Sequence, residues 1–213
     1  MRRAVGVVIF ALLAVLARYA VLQSALPFLP RIYADLVFLL ALPACFAAAL
    51  GLKLGRLGLG KGKTAENLKH VAVALLASAP LIFVASRLPV FYAYYPLFGW
   101  ARSGAPAFVA YEALILVFLA ATEFFFRGFM LFGARELGPV ASNALQAALY
   151  AAVHVGKPAL EIPASAAGGL YFGWIDEKSG SILPSVILHF GFNVLMDLFC
   201  LQAAAQAGLP AAF

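Results

Sequence analysis

Charged side chains are scarce in this sequence, and their scarcity excludes a soluble globular fold. They make up 11% of the 213 residues, against 65% hydrophobic residues, and the mean hydropathy is +0.98. Soluble domains contain about 25% charged and about 45–50% apolar residues. We therefore predict an all-α, polytopic membrane helix bundle, with room for roughly seven or eight transmembrane helices at about 20 residues per crossing. Such a bundle forms one integral membrane domain over residues 1–213.

Acidic residues are fewer than basic ones, and the imbalance predicts a membrane topology. The net charge is +6, and the segment 51–69 contains a single acid, Glu66. Its basic residues are Lys53, Arg56, Lys61, Lys63 and Lys69. A flexible basic loop beside apolar spans is typical of the cytoplasmic side, where it contacts anionic lipid. We therefore expect no nucleic-acid partner. The sequence GLGKGK also lacks the Lys-Ser/Thr ending of a phosphate-binding loop in the required frame.

Cysteine is nearly absent, and its two copies have neither paired nor ligand-like spacing. We predict that Cys45 and Cys200 are both buried as small hydrophobic side chains. The redox compartment stays open on this evidence.

The N-terminal segment resembles a signal peptide, because Met1-Arg2-Arg3 precedes an apolar run from Ala4 to Ala17. Arg18 interrupts this run, and no small-x-small cleavage site follows it. We predict a retained first span with a cytoplasmic N-terminus. Cleavage would leave the later topology unchanged.

Few ionisable residues fall inside the apolar segments, and two of them are close together. Glu123 and Arg127 lie in the apolar run 105–133. An ionised side chain at the bilayer centre costs about 2.5–3.5 kcal/mol, so the two are predicted to pair at their i,i+4 spacing. Glu112 lies roughly 16 Å away along the helix axis. We predict that it lies near the membrane rim and not in the same cavity.

Two further helices carry polar groups in the same apolar setting. They contain Tyr150-x-x-x-His154 and His189-x-x-x-Asn193, and so hold two of the three histidines in the chain. Imidazole and carboxylate groups can take a proton from water, and His or Asn can stabilise an oxyanion. The set favours a hydrolase. A polar network that only locks helices together is the alternative that the residues alone leave open.

Three segments resemble the motifs of the CPBP family of intramembrane proteases, which includes the type II CAAX prenyl endopeptidases and the bacterial abortive infection proteins. The segments read TEFFFRGF, YAAVH and GGLYFGWIDEKSGSILPSVILHFGFN. The family's motifs are Glu-Glu-x-x-x-Arg, aromatic-x-x-x-His and His-x-x-x-Asn on successive helices, and Tyr150 occupies the aromatic position. The resemblance covers residues 107–200 as a catalytic core. It implies an intramembrane endopeptidase that hydrolyses a peptide bond near the membrane boundary.

The resemblance also implies a role for each matching residue. Glu123 and His154 would activate a water molecule. His189 and Asn193 would form the oxyanion hole, and Arg127 would orient the first motif by pairing with a carboxylate.

At one position the sequence departs from the family pattern. Thr122 occupies the place of the first of the two glutamates, which is the one usually assigned as the base. A threonine hydroxyl hydrogen-bonds water but does not take its proton near neutral pH. Either Glu123 performs the base role, or the protein is a non-catalytic membrane scaffold or immunity protein that has lost hydrolysis.

The cofactor and the substrate are less constrained. We favour a metal-free site; with a divalent metal such as zinc, Glu123, His154 and His189 would be the ligands. The expected partners are the lipid bilayer and a membrane-associated peptide or protein substrate. Prenylated C-terminal peptides, bacteriocins and C-terminal sorting anchors all stay open as substrates.

The composition is typical of a bacterial inner (plasma) membrane protein. A small transporter would place its site between internal repeats, and the sequence shows none.

Overall fold

The structure is a computed structural model that describes residues 1–22 and 27–208. Helices account for 81% of the described residues, and these residues contain no strand, which confirms the all-α class. The α-helices are α1 (Arg2–Leu22), α2 (Phe28–Leu36), α3 (Leu42–Ala49), α4 (Thr64–Ser86), α5 (Pro89–Tyr92), α6 (Ala105–Glu123), α7 (Pro139–Ala152), α8 (Glu161–Ser179) and α9 (Leu183–Gln206). Two π-helical segments, Val37–Ala41 and Phe124–Phe132, join α2 to α3 and extend α6.

Five of the described helical segments are long and apolar enough to cross a membrane. They are Arg2–Leu22, Leu29–Ala49, Thr64–Ser86, Ala105–Phe132 and Leu183–Gln206. The chain is therefore an integral membrane protein with a helical bundle, as predicted. Helix α7 has only 14 residues, and α8 has 19 with acidic residues near both ends. A total of roughly seven or eight crossings requires α7 and α8 to cross the membrane as well. Their crossing stays a prediction.

Several predicted boundaries shift in the structure. Pro30 and Arg31 lie inside α2, although a proline followed by a charged residue between apolar runs predicts a turn. Helix α7 ends at Ala152, so His154 lies in the turn just after the helix and not at its last position. Cys200 is buried as predicted, but Cys45 is exposed on the isolated chain. A lipid-facing helix surface explains this error, because an apolar sequence around a residue does not distinguish lipid from protein as its neighbour.

Contacts within the chain divide it into two compact units. Unit 1 comprises Met1–Leu68 and Ala120–Val186, and unit 2 comprises Lys69–Leu119 and Ile187–Phe213. One domain over the whole chain stays a prediction.

Unit 1 contains the π-helical segment Phe124–Phe132, in which every residue is buried. Helix α1 supplies a buried face whose members recur every three or four residues, at Ala4, Val7, Ala11 and Ala14. Phe10 stacks on Phe46 with ring centroids 4.2 Å apart and meets the edge of Phe129 at 5.5 Å. These contacts pack α1 and α3 against the segment that carries Arg127.

Glycines let α7 and α8 approach closely in unit 1. A Cβ atom at Gly169 would lie 3.2 Å from the Cα atom of Ala147. Gln146 Nε2 donates to the Gly169 carbonyl at 2.8 Å, and Asn143 Nδ2 donates to the Leu170 carbonyl at 3.0 Å. This contact between α7 and α8 positions Tyr150, the buried aromatic residue of the second motif.

The end of α8 is helical, although a polar run that ends in glycine predicts a turn. Asp176 to Ser179 continue the helix, and only Gly180, with φ of +69°, ends it in the left-handed conformation. The Asp176 carboxylate is fully buried, and it accepts from the backbone N–H of Ser185 at 3.1 Å and from the Ser185 hydroxyl at 2.6 Å. It therefore caps the first turn of α9, whose N–H groups have no partner within the helix.

The basic loop between α3 and α4 is attached to the connection between α8 and α9. Lys63 N donates to the Ser179 carbonyl at 2.7 Å, and Ile182 N donates to the Gly58 carbonyl at 3.0 Å. The Ser181 hydroxyl donates to the Gly60 carbonyl at 2.5 Å. The basic side chains of this loop are all exposed. Hydrogen bonds thus hold part of the loop backbone in place, although the sequence predicted a flexible loop.

Gly62 is the position in this loop where a side chain has no room. Its φ is +50°, and a Cβ atom would lie 2.3 Å from the Ser179 carbonyl oxygen. We expect Gly62→Ala to lower the free energy of unfolding by about 2 kcal/mol or more, from left-handed strain and from loss of the Lys63 bond. Thermal unfolding in detergent measures this. Gly60→Ala is the matched control, because no atom lies within 4 Å of its Cβ position. Equal effects of the two variants would contradict the prediction.

Unit 2 packs the aromatic loop 89–102 against α9. Phe91, Tyr95 and Cys200 form a buried cluster. The Arg102 guanidinium donates to the carbonyls of Tyr92 at 2.9 Å and Tyr95 at 2.6 Å. These bonds give the loop a defined shape.

Candidate active site

Glu123 and Arg127 form a buried ion pair in unit 1. Both side chains are fully buried, Arg127 Nη1 lies 3.0 Å from Glu123 Oε2, and it donates to Oε1 at 3.2 Å. The predicted pairing is confirmed. The π-helical segment begins directly after Glu123, so Arg127 lies on a wider turn than the α-helix assumed from the sequence. Segments of this kind are rare and frequently occur at functional sites.

The Arg127 guanidinium is surrounded by aromatic rings. Its Cζ lies 4.3 Å from the centroid of the Tyr150 ring, 5.0 Å from that of Phe172 and 5.8 Å from that of Phe126. Ring faces attract a cation, so the cage and the Glu123 carboxylate together compensate the buried charge. Nε and Nη2 of Arg127 have no hydrogen-bond partner among the described residues.

His154 lies next to this cage, in the turn that follows α7. Its ring meets the Tyr150 ring edge-on with centroids 4.7 Å apart, and its side chain is buried. Nδ1 lies 2.7 Å from the carbonyl oxygen of Tyr150. A carbonyl only accepts, so Nδ1 carries the proton, and in the neutral ring the lone pair is on Nε2. Glu123, Arg127, Tyr150 and His154 thus form one contiguous group.

Asn193 belongs to a second polar group, which lies in unit 2. Its Nδ2 donates to Asp197 Oδ2 at 2.7 Å and to Glu112 Oε2 at 3.2 Å. Asp197 is fully buried and Glu112 is nearly so. The Glu112 carboxylate meets Asn193 from α6, and its place near the membrane rim stays a prediction. His189 precedes Asn193 by one helical turn on α9 and is half-buried.

The remaining predicted residue, Thr122, is buried beside Glu123 at the end of α6. No group of three or more His, Cys, Asp or Glu side chains in residues 1–22 and 27–208 is arranged to hold a metal ion. The metal alternative at Glu123, His154 and His189 stays a prediction, as do the individual catalytic roles.

Comparison with known proteins matches the segment that holds the three motifs. The family model described as Rce1-like, type II CAAX prenyl endopeptidase Rce1-like, matches residues 104–195. This match supports membership of the CPBP family. A search of curated proteins and a search of solved structures gave no match. The match also supports a function of the kind that CAAX-type intramembrane proteases have.

Sequence reasoning missed the partners that hold the CPBP motif residues. Asp197 and Asn193 share a helix face, a spacing that the sequence does show. Nothing in the sequence indicates that Glu112 of another helix completes the group. The Phe172 ring over Arg127 was missed for the same reason, since helix pairing brings it there.

Proposed function

We propose that this CPBP protein is an intramembrane endopeptidase that hydrolyses a peptide bond near the membrane boundary, with Glu123 and His154 activating the water. The observation that carries the proposal is the bond from His154 Nδ1 to the Tyr150 carbonyl at 2.7 Å. It leaves Nε2 as the atom that takes a proton from water, which is the task of a general base. The imidazole thereby supplies proton acceptance where Thr122 replaces a glutamate.

Glu123 orients that water in this proposal, and Arg127 holds its carboxylate. A carboxylate has about four lone-pair sites, and a single guanidinium nitrogen lies within 3.0 and 3.2 Å of its two oxygens. Because the pair is fully buried, its geometry is fixed by the surrounding aromatic side chains. Arg127 thus positions Glu123 and balances its charge.

His189 and Asn193 stabilise the tetrahedral oxyanion in this proposal, as the resemblance implies. Hydrogen-bond donors aimed at developing negative charge give the largest single contribution in many hydrolases. The proposed substrate is a membrane-associated peptide, with a prenylated CAAX peptide as the first probe. The proposed location is the bacterial inner membrane with the N-terminus in the cytoplasm.

A second candidate function is a non-catalytic membrane scaffold or immunity protein. It is favoured by Thr122 in the first glutamate position and by the engagement of Glu123 with Arg127 in a buried pair. Under this function the polar groups serve only to hold the helices together.

Turnover of an internally quenched peptide that ends in a farnesylated CAAX sequence separates the two functions. The protein is reconstituted in liposomes, and fluorescence is followed over time. We expect cleavage by the wild type, and a loss of about 100-fold in the double variant Glu123→Gln/Arg127→Met. Both charges are removed together so that no unpaired charge is buried. A folded wild type without turnover, or a double variant with full turnover, would contradict the proposed roles.

A further inference from the structure

The carboxamide of Asn193 is held from two sides by carboxylates in unit 2. Nδ2 donates to Asp197 Oδ2 at 2.7 Å and to Glu112 Oε2 at 3.2 Å. Among the described residues, neither carboxylate forms a salt bridge. The reverse orientation of the amide would place Oδ1 against two acceptor oxygens. The chemistry of the neighbours therefore fixes which end of the amide faces them.

The two bonds take the whole donor capacity of the side chain. A primary amide has two N–H groups, and each points at one carboxylate. For an oxyanion to receive an N–H from Asn193, one of these bonds has to be given up. The structure thus contains a competition that the motif alone does not show.

The two bonds differ in a way that decides which one is released. Asp197 lies four residues after Asn193 on α9, so the helix itself keeps the pair together, and the distance of 2.7 Å is typical of a charge-assisted bond. Glu112 reaches Asn193 from α6, and 3.2 Å is at the long end for an N–H to oxygen bond. The bond to Glu112 is the weaker one.

We propose that Asp197 is a positioning residue that fixes the Asn193 carboxamide, and that Glu112 holds the second N–H at rest and releases it to the oxyanion. This inference rests on the proposed function. In the reaction the oxyanion replaces one carboxyl oxygen as the acceptor, so the N–H is never left unsatisfied in a buried place. Asp197 keeps the amide oriented throughout, which is the preorganisation that oxyanion stabilisation requires.

A double-mutant cycle on the farnesylated CAAX peptide tests the positioning role. We expect Asn193→Ala and Asp197→Ala each to lower kcat by about 100-fold, with little change in KM. The double variant should be no slower than Asn193→Ala. Asp197→Asn keeps an acceptor oxygen and should restore most of the turnover. Additive losses in the double variant, or no rescue by Asp197→Asn, would overturn the role.

Gln202→Ala is the matched control on the same helix. Gln202 accepts from Arg87 at 2.8 Å and does not contact Asn193. Any effect of this variant should add to that of Asn193→Ala. Glu112→Gln tests the release step, because a neutral acceptor holds the N–H less strongly. We expect its kcat to exceed that of the wild type, and a kcat at or below the wild-type value would overturn release.

A second measurement does not depend on cleavage. In protein labelled with ¹⁵N at asparagine, Asp197→Ala and Glu112→Gln should each shift the side-chain amide signals of Asn193. The signals of Asn67 and Asn143, which donate to backbone carbonyls, should stay in place. Unchanged Asn193 signals would overturn the two-carboxylate arrangement itself. Absence of turnover in the wild type would instead overturn the proposed function and the release step with it.

Discussion

Replacement of His154 by alanine is expected to lower kcat on the farnesylated peptide by about 1000-fold while the chain stays folded. His154 follows the end of α7 and is bound to its own segment through the Tyr150 carbonyl at 2.7 Å. Its removal therefore takes away a proton acceptor and a bond within its own segment. The measurement is turnover in liposomes, with the circular dichroism spectrum as the test of folding.

His70→Ala is the matched histidine control for this experiment. His70 lies in α4, at the edge of the basic loop, and no motif of the family includes it. Its replacement should change turnover by less than about twofold, as is usual for changes away from a reaction site. If His154→Ala keeps more than a tenth of the wild-type rate, His154 is not the general base.

Replacement of Arg127 by alanine is expected to lower the free energy of unfolding by about 3–5 kcal/mol. The cause is the Glu123 carboxylate, which would remain fully buried without its cation. The loss of the guanidinium from its contact with the Tyr150 ring adds to the effect. Chemical denaturation in detergent micelles measures the change.

Two variants decide whether the unpaired charge is the cause. Glu123→Gln/Arg127→Met removes both charges and should recover most of the lost stability, because apolar or neutral replacement of a buried pair is often close to neutral. Arg135→Ala removes an exposed arginine that contacts the Phe132 ring, and should cost less than about 1 kcal/mol. An Arg127→Ala effect as small as that of Arg135→Ala would show that the pair is not a stabilising unit.

The sequence predicted most of the helices, because hydropathy dominates membrane segments. The five segments that qualify as spans coincide with apolar runs. The prediction was weaker where a helix continues through polar residues, as at the end of α8. Asp176 looked like a turn residue, yet it is fully buried and caps α9. A polar side chain that caps another helix has no signature in its own segment.

The candidate site was predicted in its members but not in its partners. The spacing of Glu123 and Arg127 was enough to predict their pairing. The contact between Glu112 and Asn193 depends on how α6 and α9 meet within unit 2, which periodicity does not encode. The π-helical segment after Glu123 was also missed, since the apolar sequence Phe124–Phe132 contains no signal that distinguishes a π-helix from an α-helix.

The most direct test of the proposed hydrolysis is mass spectrometry of the peptide after incubation with the reconstituted protein in H₂¹⁸O. The proposed mechanism predicts two fragments, with one ¹⁸O atom in the new carboxylate of the N-terminal fragment. It also predicts that these fragments are absent with His154→Ala. An intact peptide with the folded wild type, or labelled fragments formed equally by His154→Ala, would contradict hydrolysis by this site.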